Sequence, residues 1–134
     1  MSFNIQDFLE TMQAPPIHTF LGGKVEHIEY ENGWKARISY QPRAEFANPM
    51  GHLQGGMLCS MLDDAMGLFA IIVQEGQPSA TVTMNVSFLR PCNIALLEVE
   101  VYFVRKGRRI SNIESVAYQN GKEVGKASAV FSTV

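Results

Sequence analysis

A chain of 134 residues is expected to form one domain over residues 1–134, because two domains of that combined length would each be too small for a good core. Hydrophobic residues make up 46% and charged residues 18%, a balance that excludes intrinsic disorder. A formal net charge of -2 and a sequence pI near 5.9 leave no global positive field to attract phosphates, which excludes DNA and RNA as expected partners.

In chain order, residues 1–10 carry Asp7 and Glu10 and no basic segment ahead of an apolar run, unlike a signal peptide. Ile5, Phe8, Leu9 and Met12 recur at helical spacing before Pro15 and Pro16, which predicts a short amphipathic helix that stops there. Over residues 24–40 the period changes. Trp34, Ala36, Ile38 and Tyr40 alternate with Lys35, Arg37 and Ser39 behind the turn dipeptide Asn32-Gly33, the pattern of a β-hairpin. Residues 41–54 hold Pro42, Pro49 and Gly51 without a steady period, so they form a long loop, and long ordered loops are often functional.

The segment 55–73 is apolar on most of its circumference. Met57, Met61, Ala65, Leu68 and Ile72 form one row, and Leu58, Leu62, Phe69 and Val73 form another, so this helix must be wrapped by other elements. Its most strongly apolar run, residues 68–73, is too short to span a bilayer, and no membrane partner is expected. Beyond Gly76 and Pro78, Val82, Met84, Val86 and Phe88 alternate with Thr81, Thr83, Asn85 and Ser87. Three more strand-like runs follow, around residues 94–104, 109–118 and 122–131, with breaks at Pro91, Lys106-Gly107 and Asn120-Gly121. A hairpin, one buried helix and four consecutive strands define an α+β chain in which an antiparallel sheet wraps one long central helix, the hot-dog architecture. Such a sheet leaves edge strands and part of the helix uncovered, and pairing two copies covers both. Cys59 and Cys92 match neither a disulfide framework nor a zinc site, and both are expected as reduced thiols in a cytoplasmic protein.

Two residues contradict their surroundings. Asp63 and Asp64 fall in the middle of the apolar helix, where an ionised carboxylate is costly unless water, a partner or a function compensates. Asp64 aligns with Ser60 and Gly67, a small polar stripe suited to a surface or interface acid. Asp63 aligns with Cys59, Met66 and Ala70, which offers no such role and makes it the stronger catalytic candidate. Gly55 and Gly56 open the helix and could present free N–H groups to a forming oxyanion, or could simply make a tight turn into the helix. The eight residues from Gly55 to Asp63 correspond to about 12 Å along a helix. One chain therefore cannot bring both groups to one carbonyl carbon. Two copies with antiparallel helices could, as a homodimer or a dimer of dimers.

The run Asn48-Pro49-Met50-Gly51-His52-Leu53-Gln54-Gly55-Gly56, then Asp63, then Thr81-Val82-Thr83-Met84-Asn85-Val86-Ser87-Phe88, resembles the phenylacetate-pathway (PaaI-like) branch of the hot-dog thioesterases. The likeness extends from about residue 48 to the C-terminus. It implies acyl-CoA thioester hydrolysis without a cofactor or metal. It assigns Asn48 to positioning water or thioester, the Gly55 N–H to the thioester oxygen, Asp63 to the role of general base or nucleophile, and Thr81 to orienting the attacking water. The family usually shows His-Gly-Gly where this chain has Gln54-Gly55-Gly56, with its histidine at His52. Gln cannot take up a proton near neutral pH, so the change is expected to alter loop anchoring or substrate preference. His52 is either an acid-base group or a loop histidine bonded to backbone. His18 and His27 lie in the N-terminal loop and hairpin away from other ligand-type residues, and no metal site is expected. Arg90 and Arg108 are the first choices for the phosphates of CoA, and Phe46, Met57 and Met61 for an adaptable acyl pocket. Two other readings fit the same layout: a non-catalytic acyl-CoA-binding dimer, and a hot-dog enoyl hydratase or dehydratase, which would need a His paired with an acid.

Overall fold

The computed structural model describes residues 5–134; residues 1–4, on which part of the signal-peptide reading falls, lie outside the described residues. The expected N-terminal helix is α1, Ile5–Thr11. A second helix, α2 (Pro16–Phe20), follows it where the sequence reading placed a loop. Pro16 sits in the first turn of α2, where a missing N–H has no intrahelical partner to lose and the fixed φ suits a helix start. The proline pair thus stands between two helices: α1 stops before it, as expected, and α2 starts at Pro16.

Strands β1 (Gly23–Tyr30) and β2 (Trp34–Tyr40) form the expected hairpin. Its turn residues Asn32 (φ 58) and Gly33 (φ 114) take the left-handed conformations that match strand twist. A 3-10 turn at Ala44–Phe46 leads into the long loop and then the central helix α3, Gly55–Val73. Four strands complete the chain: β3 (Ser79–Phe88), β4 (Leu97–Lys106), β5 (Ile110–Gln119) and β6 (Lys122–Thr133). All pairings are antiparallel, in the order β1-β2-β4-β5-β6-β3. β3 does not pair with its chain neighbour β4. It lies beyond β6 as an edge strand, so the loop after it crosses the end of the sheet.

The sheet curls over α3 and packs Ile38, Tyr40, Leu97, Val99, Ile113 and Phe131 against it. Leu58, Met61, Leu62, Ala65, Phe69 and Ile72 are buried around most of the helix circumference, as the two apolar rows require. Each large side chain so buried contributes about 1.5–3 kcal/mol. Taken whole, α3 is long and apolar enough to cross a membrane by length and composition, which counting residues 68–73 alone did not show. Its apolar surface is covered here by the sheet.

That covering corrects one assignment. Met61 is 0% exposed and belongs to the core, so it cannot line an acyl pocket as expected; the row it shares with Met57 turns under the sheet one turn further along. Met57 is half-buried at the core margin, and Phe46 is buried against Phe20 at 5.3 Å between ring centroids. Met61→Ala is expected to cost about 2–5 kcal/mol and to lower Tm by roughly 10 °C in a thermal melt, with Met57→Ala shifting it less than half as far. Equal, small shifts for the two variants would place Met61 back at a ligand surface.

Candidate active site

Asp63 stands in the third turn of α3, half-exposed, and its Oδ1 accepts a hydrogen bond from Thr81 Oγ1 at 2.7 Å. Thr81 reaches it because β3 is bulged. Thr81 pairs with Phe131 and Thr83 with Val130, so Val82 is an extra residue in the ladder. Counting back by twos from Met84, Thr81 would point away from the helix with Thr83 and Asn85. The bulge reverses that phase and turns Thr81 onto the side of Phe131, toward α3. The strict alternation read from sequence is therefore broken at Val82, which is left 61% exposed on the outer edge of the sheet.

Asp64 faces the other way. It is not the surface or interface acid expected: its side chain is 5% exposed, with His18 Nδ1 2.6 Å from Oδ2 and the Tyr40 hydroxyl donating to the same oxygen at 2.7 Å. The cause is α2, which brings His18 inward from what the sequence reading took for a loop, so His18 does lie beside an acid. Burial first, and then the charge and hydrogen bond of Asp64 and the charge of Asp63, raise the Tyr40 hydroxyl well above its ordinary pKa of 10.0. Tyr40 thus stays a protonated donor. The residues of this cluster that sequence reasoning missed were partly legible: Tyr40 ends an inward alternating row, but nothing local pairs it with Asp64.

At the head of α3 the cap residue Gln54 has φ -60 and ψ 134 and makes no side-chain cap bond. The first intrahelical donors are Met57 and Leu58, both bonding the Gln54 carbonyl. The N–H groups of Gly55 and Gly56 have no acceptor among the described residues and carry the positive end of the helix dipole. The loop before them is tightly organised. Asn48 Oδ1 accepts from the N–H of Met50 (2.9 Å) and of His52 (3.0 Å), while the Asn48 N–H donates to the His52 carbonyl at 2.7 Å. The Asn48 oxygen is thus committed to the turn, and its Nδ2 is the group left for a ligand.

A cleft of about 380 Å³ opens at this end, lined by Asn48, His52, Gly55, Phe88, Arg90 and Cys92 among others. Phe88, not anticipated, is 56% exposed and abuts Gly55, where an added Cβ would sit 3.3 Å from its ring. Arg90 is held by a bond from Nη1 to the Glu123 carbonyl at 2.6 Å. The cleft gathers Asn48, His52, Gly55 and Arg90. It does not include Asp63, which lies about 12 Å from Gly55 along α3 at about 1.5 Å per residue, or Thr81, which meets Asp63 from β3. Gln54, Gly56, Met57 and Phe46 are near its mouth in sequence but do not line it. Arg108, in the β4–β5 turn, sits by the Ile110–Ser132 pair, whereas Arg90 follows the Phe88–Gly125 pair. The two arginines are therefore at opposite ends of β6, and one chain does not present them together.

An antiparallel sheet wrapped round one long central helix defines the hot-dog class of fold. Residues 44–132 match the acyl-CoA thioesterase N-terminal domain family, and the chain belongs to that thioesterase family. The phenylacetic acid degradation-related protein of Ralstonia eutropha JMP134 is 30% identical, with a TM-score of 0.90 over 98% of this chain and 100% of that one. A mutant of the phenylacetic acid degradation protein PaaI from Thermus thermophilus shares the fold at 22% identity, with a TM-score of 0.76 over 90% of this chain and 100% of that one. A hypothetical thioesterase protein of Streptococcus pneumoniae, solved with coenzyme A, shares it at 20% identity, with a TM-score of 0.74 over 86% and 90%.

Proposed function

We propose that this thioesterase hydrolyses acyl-CoA at sites shared between two copies of the chain, Asp63 of one copy acting on a thioester whose oxygen is held by the Gly55 N–H of the other. The observation that carries the reading is the separation of two half-sites. Free amide donors open one cleft, and a carboxylate in an apolar helix, already gripped by Thr81, stands at the uncovered edge of the sheet. Ten-residue β3 has no strand on its outer side, and an unpaired edge of that length is a template for a second sheet. Antiparallel pairing of two β3 strands would set the Gly55 end of one α3 against the Asp63 turn of the other.

Thr81 occupies Oδ1 and leaves Oδ2 of Asp63 for the chemistry. As a general base it takes a proton from water as the water oxygen bonds to the carbonyl carbon; as a nucleophile it forms an anhydride that water then cleaves. In both routes the C–S bond breaks, the oxyanion formed on the way is stabilised by the helix donors, and the CoA sulfur leaves as thiolate and picks up a proton. The bound coenzyme A of the Streptococcus neighbour and the position of Arg90 at the cleft support CoA as the carrier. A cytoplasmic location, without nucleic acid or membrane partners, belongs to the same proposal and fits the two free thiols and the charge of -2. A hydratase would need a His–acid pair at the cleft; His18 with Asp64 is sealed from solvent, and the exposed pair His27 with Glu29 lies on β1 and does not line the cleft.

The test is a panel of acetyl-, hexanoyl-, palmitoyl- and phenylacetyl-CoA, with released CoA followed by a chromogenic disulfide, run on variant mixtures. Asp63→Asn and Gly55→Pro chains, each inactive alone, are co-refolded. Half the dimers are then mixed and each mixed dimer has one intact shared site, so activity returns to about a quarter of the parent's. No recovery from confirmed mixed dimers would show that each site is built from one chain. Binding of CoA thioesters without turnover by the parent would leave the non-catalytic binding dimer.

A further inference from the structure

Beside the proposed reactive carboxylate stands a second acid that hydrolysis does not use. Asp64 Oδ2 takes both His18 Nδ1 at 2.6 Å and the Tyr40 hydroxyl at 2.7 Å, and Tyr40 is 0% exposed. Space for the imidazole is made by Gly23, where any side chain would overlap the His18 ring. Three elements, α2, β2 and α3, therefore converge on one carboxylate oxygen. Among the described residues, the side chains of α3 hydrogen-bond to other elements at Asp63 and Asp64 alone.

We propose that His18 and Tyr40 are positioning residues acting through Asp64: they clamp the turn of α3 that carries Asp63 and keep its Oδ1 at bonding distance from Thr81. This rests on the reading of Asp63 as the reacting carboxylate. The physical need for a clamp follows from the helix itself. Apolar burial is non-directional, so packing shape holds this helix in place, while among the described residues only the side-chain bonds at Asp63 and Asp64 tie its angle to specific partners on other elements. Consecutive residues are about 100° apart, which sends Asp63 and Asp64 to different walls and lets bonds at one fix the angle of the other. At a radius of about 6 Å, a 20° rotation moves a carboxylate about 2 Å. A misplacement of about 1 Å can cost on the order of a hundredfold in rate. Asp64 thus adds directional bonds to a helix otherwise held by packing.

The experiment measures kcat, KM and Tm of the purified full chain with the panel acyl-CoA turned over fastest. His18→Leu and Asp64→Ala are expected to lower kcat about tenfold to a hundredfold with KM within about twofold, at a temperature well below their Tm. His18→Asn, whose Nδ2 can stand near the Nδ1 position, and Asp64→Asn, whose Oδ1 still accepts from both donors, are expected to recover most of that loss. A packing role alone would lower Tm in all four and leave the kcat of the folded protein at the parental value, which overturns the clamp. Should the Ala and Leu variants fail to fold, Tyr40→Phe removes a single oxygen in place. A fall in kcat of about threefold or more supports the clamp, and an unchanged kcat overturns it. Asp63→Asn in the same assay separates the two ideas. If it is active, the reading of Asp63 fails; if it is inactive while His18→Leu and Asp64→Ala match the parent, only the clamp does.

Discussion

Asp63→Asn is expected to lower kcat for acyl-CoA hydrolysis by on the order of a thousandfold or more while the protein stays folded. The substitution keeps size and shape, and its carboxamide oxygen can still accept the 2.7 Å bond from Thr81. What disappears is the oxygen that, in the proposed mechanism, takes a proton from water or attacks the carbonyl carbon. Stability should hold, because Asn fills the same space and keeps the bond to Thr81. Thermal melting beside initial rates checks both halves of the expectation. A folded Asp63→Asn enzyme with the parental kcat would remove this carboxylate from the mechanism.

Gly55→Pro is expected to reduce kcat by about a hundredfold to a thousandfold, the typical effect of deleting one oxyanion donor. The position suits the test unusually well. Gly55 is the first residue of α3, where proline is tolerated because the N–H makes no intrahelical bond. Gln54, with φ -60 and ψ 134, already has the extended conformation that a residue before proline prefers. The added ring approaches the Phe88 ring, which is 56% exposed. Substitution thus deletes one hydrogen atom of interest with little change to the helix. Gly55→Ala serves as control, since it retains the N–H and makes the same approach to Phe88. If proline and alanine behave alike, the contact with Phe88 matters and the amide does not.

Several features were legible along the chain because their causes are local. The two Asn-Gly turns, at Asn32-Gly33 and Asn120-Gly121, take the positive φ angles that such dipeptides favour, and the strands on either side follow. The apolar girth of residues 55–73 required a wrapped helix, and the sheet supplies the wrapping. Other features depended on contacts between distant residues. α1 stops before Pro15 and Pro16 as expected, but Pro16 also starts α2, because a proline's effect depends on which turn of a helix it occupies. Met57 and Met61 share one helical row, yet only the fold decides that the second lies beneath the sheet. The extra residue at Val82 leaves no mark in composition. It shows only in the pairing of β3 with β6, where it turns Thr81 toward the helix.

By itself, the order of residues determined the hairpins, the central helix and the placing of two adjacent acids within it, since propensity and period act over a few neighbouring positions. Tertiary structure alone decided which of the two adjacent acids is open and which is locked away. A helix turns about 100° per residue, so Asp63 and Asp64 meet different walls, and those walls, Thr81 on one side and His18 with Tyr40 on the other, come from segments 18 to 46 positions distant.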